Sequence, residues 1–241
     1  MGTLINAALI AVGSLIGLIF KKAINEKIEY SVHKATGVAV LVIGLCGILS
    51  TMLSVNNGKI FSSGELMLVV SLALGAFIGE ALKLDDRLNN GCKKIEGKFN
   101  MPGFANGFIS STMIFCIGAM AIVGAINDGL LHDSSMLITK GIIDGITSMV
   151  LAASLGYGVI FSVIPVLIYQ GGITLLASSL QNVLKGELLD NICMVGYALV
   201  MCIGINFLYN SKKQIRTVNM LPSLLIPIVY ALGKYLISLI G

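Results

Sequence analysis

Residues 3–20, TLINAALIAVGSLIGLIF, carry no charge and are followed at once by Lys21 and Lys22. The hydrocarbon core of a bilayer is about 30 Å thick, so a helix of roughly 20 apolar residues crosses it. A secretory leader carries its basic residues before the apolar run. Here they come after it, so the segment reads as a retained first membrane helix. Position six is Asn6 rather than Ser or Thr, which argues against myristoylation.

The rest of the chain repeats this pattern. Of 241 residues, 56% are hydrophobic and 12% charged, against about 25% charged in a soluble domain. Further apolar runs fall at about 33–54, 64–83, 104–126, 136–156, 159–182, 190–210 and 219–240. The expected fold class is all-α: a polytopic transmembrane bundle of about eight helices in one domain, 1–241, with the lipid bilayer as its surroundings. A count of seven spans plus one re-entrant run stays open. Asn56-Asn57-Gly58, Met101-Pro102-Gly103, Asn127-Asp128-Gly129 and Gly156-Tyr157-Gly158 read as turns between spans.

Lys and Arg set the expected orientation, because cytoplasmic loops collect them. Lys21, Lys22, Lys27 and Lys34 fill the first connector, Lys83, Arg87, Lys93, Lys94 and Lys98 the third, and Lys212, Lys213 and Arg216 the seventh. The connectors between them hold only Lys59 and Lys185. The reading is a multi-pass inner-membrane protein with both termini outside. The net charge of +4 reports this loop bias and is no sign of nucleic-acid binding. Cys46, Cys92, Cys116, Cys193 and Cys202 show no metal-type spacing. No P-loop, GxSxG, HExxH or CxxC motif occurs, so neither an enzyme nor a cofactor is expected. The metal question stays open.

Two spans look interrupted. Pro165 and Gln170-Gly171-Gly172 lie in the sixth, Pro222 and Pro227 in the eighth, and proline removes a helical hydrogen bond. Segment 37–49, GVAVLVIGLCGIL, resembles 196–208, GYALVMCIGINFL, and Ala73-Leu74-Gly75 is echoed by Ala231-Leu232-Gly233. These echoes fit an inverted repeat of the first three spans onto the last three, although composition alone could produce them. Gly13/Gly17, Gly75/Gly79 and Gly141/Gly145 have the spacing of close helix packing, which leaves a homo-oligomer as one option.

Ionisable groups are costly in hydrocarbon and mark sites or structural pairs. Lys140, Asp144 and Ser148 share one face of the fifth span, with Thr147 beside it. One reading is a cation or proton site at Asp144, with Lys140 as an internal counter-ion released by ligand. The other is a permanent pair that locks packing. Asn127 and Asp128, in Ile126-Asn-Asp-Gly-Leu130, form a turn or, with Asp133, an acidic mouth. Gln170, near midspan, Asn206 in the seventh span and Asn6 in the first are amides that suit either a pathway or an interhelical bond. Glu80 reads as an interfacial side chain or a gate.

INDGL (126–130), KGIIDGITS (140–148), LGYGV (155–159) and YQG (169–171) resemble a bacterial inner-membrane family catalogued as domain of unknown function 554, the YqgA-like proteins. The resemblance implies a multi-spanning bacterial protein, often labelled a transporter, with no established substrate. The expected function is therefore a transporter or channel for a small cationic or zwitterionic solute. Its pathway would use Asp144, Lys140, Ser148, Gln170, Asn127 and Asp128. The alternative is a non-transporting scaffold or regulator that assembles through its small-residue faces.

Overall fold

The computed structural model describes all residues except 24–25, 100, 102, 117–118, 181–183, 210–213 and 241. Lys212, Lys213 and Pro102 therefore lie outside the described residues. The first apolar run forms α1 (Gly2–Ala23), followed by α2 (Glu26–Met52), α3 (Glu65–Leu82) and α4 (Leu84–Phe99). Next come α5 (Phe104–Cys116), α6 (Ala119–Leu131) and α7 (Ser135–Leu155). Then follow α8 (Gly158–Phe161), α9 (Val163–Leu175), α10 (Ala177–Leu180) and α11 (Gly186–Leu208). A 3₁₀ segment, Thr217–Leu225, leads into α12 (Ile226–Ile240). Seven of these spans are long and apolar enough to cross a bilayer, and the α5–α6 pair, bent by 61°, is an eighth candidate.

Four corrections to the sequence expectations have local causes. The second span ends in a hairpin of β1 (Leu53–Asn56) and β2 (Lys59–Ser62), with Asn56 opposite Lys59. Asn57 and Gly58 both take positive φ, 50° and 72°, the geometry of a two-residue hairpin turn. The third connector is the amphipathic helix α4, whose buried Cys92 joins Phe104 and Ala105 in a small cluster. The fourth span is two helices rather than one. Asn127-Asp128-Gly129 is helical rather than a turn, because the Asp128 carboxylate is engaged by groups from other elements and does not compete for its own backbone.

The sixth and eighth spans are interrupted as expected. Ser162 divides α8 from α9, so Pro165 falls in the first turn of α9, where a missing N–H costs nothing. Gly171 and Gly172 lie inside α9 and break nothing. Pro222 sits in the 3₁₀ segment and Pro227 in the first turn of α12.

Glycine contacts fix the directions of the helices. A Cβ on Gly13 would lie 2.0 Å from the Gly145 carbonyl oxygen, and one on Gly17 2.1 Å from that of Met149. Gly2 meets Leu137. Numbers rise together along this seam, so α1 and α7 run parallel, with backbones as close as small residues allow. Since α1, α2 and α3 alternate in direction, α7 can start beside Gly2 only if α5–α6 carries the chain back across. The α5–α6 pair therefore returns the chain to the end of the bundle where α1 begins, as an eighth span would.

Elsewhere the pairing is antiparallel. Gly37 meets Phe207 and Gly47 meets Tyr197 between α2 and α11, while Gly75 meets Ser223 and Gly79 meets Asn219 between α3 and the 3₁₀ segment. Thr3–Thr174 and Asn6–Gln170 do the same between α1 and α9. The first, second and third spans thus meet the sixth, seventh and eighth antiparallel, the arrangement an inverted repeat produces. Lys234 reaches Glu187 at the start of α11, so α12 ends on the face where α1 begins. Exposed Leu15, Ile19, Phe77, Ile146 and Ile168 point outward, the surface a lipid-solvated bundle presents.

Candidate functional site

Helix α7 sorts its side chains by face. Ile142, Ile143, Ile146 and Val150 are exposed, whereas Lys140, Asp144, Ser148 and Leu151 are buried. Lys140 and Asp144, 6% exposed each, form an ion pair one turn apart on the inner face. The Lys140 ammonium also donates to the Phe115 carbonyl at 2.9 Å. Phe115 lies in the last turn of α5, where carbonyls have no partner within their own helix. The break between α5 and α6 thus leaves an acceptor, and Lys140 fills it.

A file of polar groups leads from this pair to the face where α1 begins. The Asn6 amide of α1 lies near enough to the Asp144 carboxylate to act on it and donates to Gln170 Oε1 of α9 at 3.0 Å. Both amides are fully buried, yet Asn6 Oδ1 and Gln170 Nε2 have no partner among the described residues. One turn earlier the hydroxyls of Thr3 and Thr174 are 3.4 Å apart. At the start of α1, Asp128 accepts from the Gly2 N–H at 3.3 Å, the Met1 ammonium at 3.0 Å and the Ser134 hydroxyl.

On the other side of the pair, α5 serves as a rail. Its Asn106, Ile109 and Ser110 line a polar vestibule of about 450 Å³ with Asp85, Asn206 and Arg216. Ile109, Thr112 and Cys116 line an apolar cavity of about 270 Å³ with Tyr169 and Leu221. Ile109 belongs to both walls, and Asn106 to Cys116 is a rise of about 15 Å. Cys116, one of its lining residues, is next in sequence to the carbonyl that Lys140 caps. Neither Lys140 nor Asp144 lines either cavity.

The vestibule rim is latched. Buried Asn219 donates to Glu80 Oε2 at 2.5 Å and accepts from the Asp85 N–H at 2.7 Å, and Arg216 pairs with Glu80 at 3.2 Å. Burial pushes the Asp85 carboxyl above its usual range, against the opposing pull of the Asn89 amide and the Arg216 guanidinium. At the opposite face, exposed Asp133 is held below its usual range by the Ser135 hydroxyl and N–H.

Of the six residues singled out from sequence, Lys140 pairs with Asp144, and Gln170 bonds Asn6, which acts on Asp144. Ser148 points into the α1–α7 seam and donates to the Ile10 carbonyl at 3.0 Å. Asp128 lies at the end of the file, with half-buried Asn127 beside it. Asn206 donates to the Ile215 carbonyl and accepts from its N–H, both at 2.8 Å. Thr112, Cys116, Tyr169 and Asn219 carried no individual signal, because only the fold brings them to cavity or rim. Among the described residues no three His, Cys, Asp or Glu side chains gather as a metal site would require.

Comparisons with known proteins find similar chains, one of them named a membrane protein. The family model described as Protein of unknown function (DUF554) matches residues 1–232. The chain is 33% identical over 237 residues to the Uncharacterized membrane protein YdfK of Bacillus subtilis (strain 168), covering 96% of this chain and 98% of that protein. It is 28% identical over 233 residues to the Uncharacterized protein YqgA of Escherichia coli (strain K12), covering 94% of each. No solved structure matches.

Proposed function

Because the chain belongs to the DUF554 family, whose description names no activity, we propose from its own site that this membrane protein is a transporter for a small cationic or zwitterionic solute. The observation that supports this reading most is the file from Asp128 through Thr3, Asn6 and Gln170 to Asp144 and Lys140, which ends on the Phe115 carbonyl, next in sequence to the cavity-lining Cys116. A permanent structural pair needs no polar approach on one side and no vestibule on the other. A buried charge flanked by a broken helix and discontinuous spans is the common design of a midplane transport site. In this reading the pair is the closed barrier between two half-paths, and it opens to one side at a time.

The orientation that goes with this reading is an inner-membrane protein with the basic face cytoplasmic and both termini outside. The vestibule then faces the cytoplasm and Asp128 the exterior. A second reading, a non-transporting scaffold or regulator, draws on one observation: the pair is walled off from both cavities. Uptake of labelled cations and amines by proteoliposomes, with Asp144→Asn in parallel, separates them. Transport by the wild type, lost in a folded Asp144→Asn, supports the first reading. No transport by the folded wild type supports the second.

A further inference from the structure

We infer that the apolar cavity beside α5 is a binding site for a small neutral aromatic molecule that carries one hydrogen-bonding group. This goes beyond the transport reading, and binding there is measurable without transport. The cavity holds about 270 Å³ and lies where α4, α5, α6, α9, α11 and the 3₁₀ segment meet. An apolar protein cavity of about 150 Å³ takes up benzene, so this one has room for a bicyclic ring of roughly ten heavy atoms.

The walls select the class of guest. No charged side chain lines the cavity among the described residues, so a molecule that settles there, rather than passing through, is neutral. Phe108 and Tyr169 offer rings, and Met113, Cys116 and Cys193 offer sulfur. Ring–ring and sulfur–ring contacts both favour a flat aromatic guest over an alkyl chain, which gains only from buried area. Leu88 of α4 is exposed, and the other lining residues are buried or half-buried. The opening therefore lies beside α4, and the remaining walls are protein rather than lipid.

The hydrogen-bonding group follows from Thr112. Its neighbour Ser111 donates to the Gly107 carbonyl one turn back at 2.6 Å, the common arrangement for a hydroxyl inside a helix. The buried Thr112 hydroxyl has no partner among the described residues. Apart from the Thr112 and Tyr169 hydroxyls, the lining side chains offer only carbon and sulfur, less than the roughly three hydrogen bonds that a buried water makes. A guest with one donor or acceptor needs only Thr112. In the transport reading the same cavity belongs to the route, so such a guest would close it.

The test is equilibrium binding of labelled indole, a neutral bicycle with an N–H donor, to the wild-type protein in nanodiscs, with empty nanodiscs as background. Expected is saturable binding at one site per chain. Thr112→Val keeps the shape and removes the hydroxyl, so indole affinity should fall about tenfold. Naphthalene, which has no hydrogen-bonding group, should bind both proteins alike. Ile192→Phe, or Leu224→Phe if the first does not fold, fills the cavity and should abolish binding of both probes. No saturable indole binding by folded wild type, the outcome if a lipid chain fills the cavity instead, overturns the inference. Indole binding that survives a filled cavity, or that is equally tight in Thr112→Val, overturns it as well. The transport reading is untouched by any of these results.

Discussion

The Lys140 ammonium reaches past its ion-pair partner to the Phe115 carbonyl, 2.9 Å away in the last turn of α5. One side chain thus ties the inner face of α7 to the broken end of another span. Removing either charge leaves the other buried and unpaired, which costs about 3–5 kcal/mol. Asp144→Asn or Lys140→Met should each lower stability by that order, and the Asp144→Asn/Lys140→Met double variant by clearly less than the sum. Denaturant unfolding in micelles gives the double-mutant cycle. Additive losses would mean the two charges do not interact.

The α1–α7 seam predicts opposite outcomes for two Gly→Ala changes. At Gly13 a Cβ would fall 2.0 Å from the Gly145 carbonyl oxygen, whereas at Gly171 nothing lies within 4 Å. Gly13→Ala should destabilise by about 1–3 kcal/mol or more, as overpacking does. Gly171→Ala, inside α9, should be neutral or stabilising by up to about 1 kcal/mol, because alanine is the better helix former. Thermal unfolding of the two variants side by side checks the contrast.

Asp85 should give the vestibule a pH-dependent contribution. Burial raises its carboxyl from the ordinary value of 3.8, so the folded state holds this proton more tightly than the unfolded chain does. The associated stability is present below the unfolded value and is lost as pH rises through the folded one. Asp85→Asn should therefore lose less melting temperature than wild type between acid and neutral pH. An equal or steeper loss would show that Asp85 titrates without this desolvation.

The α3 span separates the β1–β2 hairpin from α4 and places them on opposite faces. With a cysteine-depleted background, Lys59→Cys and Lys94→Cys should react with an impermeant thiol reagent from opposite sides of the membrane. The basic face predicts that Lys94→Cys is the one reached only after permeabilisation. Labelling of both from one side would contradict the packing register.

Much of this architecture was legible in the sequence because it depends on local properties. Apolar length marked the spans, four-residue glycine spacing marked the seams, and Lys140 and Asp144 stood out as the charges of the fifth span. Other features depend on distant partners. Asn127-Asp128-Gly129 reads as a turn until the start of α1 occupies Asp128, and Gly129 is needed because Thr174 O would lie 2.3 Å from a Cβ there. Helix α4 shows apolar positions at Leu84, Leu88, Cys92 and Ile95, but its charges make it look like a loop. The cavity wall at Thr112 and Cys116 exists only after α5, α9 and the 3₁₀ segment meet.

The central claim is that the α5 cavity is a route to the buried pair, and accessibility at Thr112 tests it most directly. Thr112 lines that cavity, and its buried hydroxyl has no partner among the described residues. Thr112→Cys, in a cysteine-depleted protein, should react with a small charged thiol reagent from the basic face, and modification should block cation uptake. A Thr112→Cys thiol that reacts from neither face, or whose modification leaves uptake unchanged, would contradict the account.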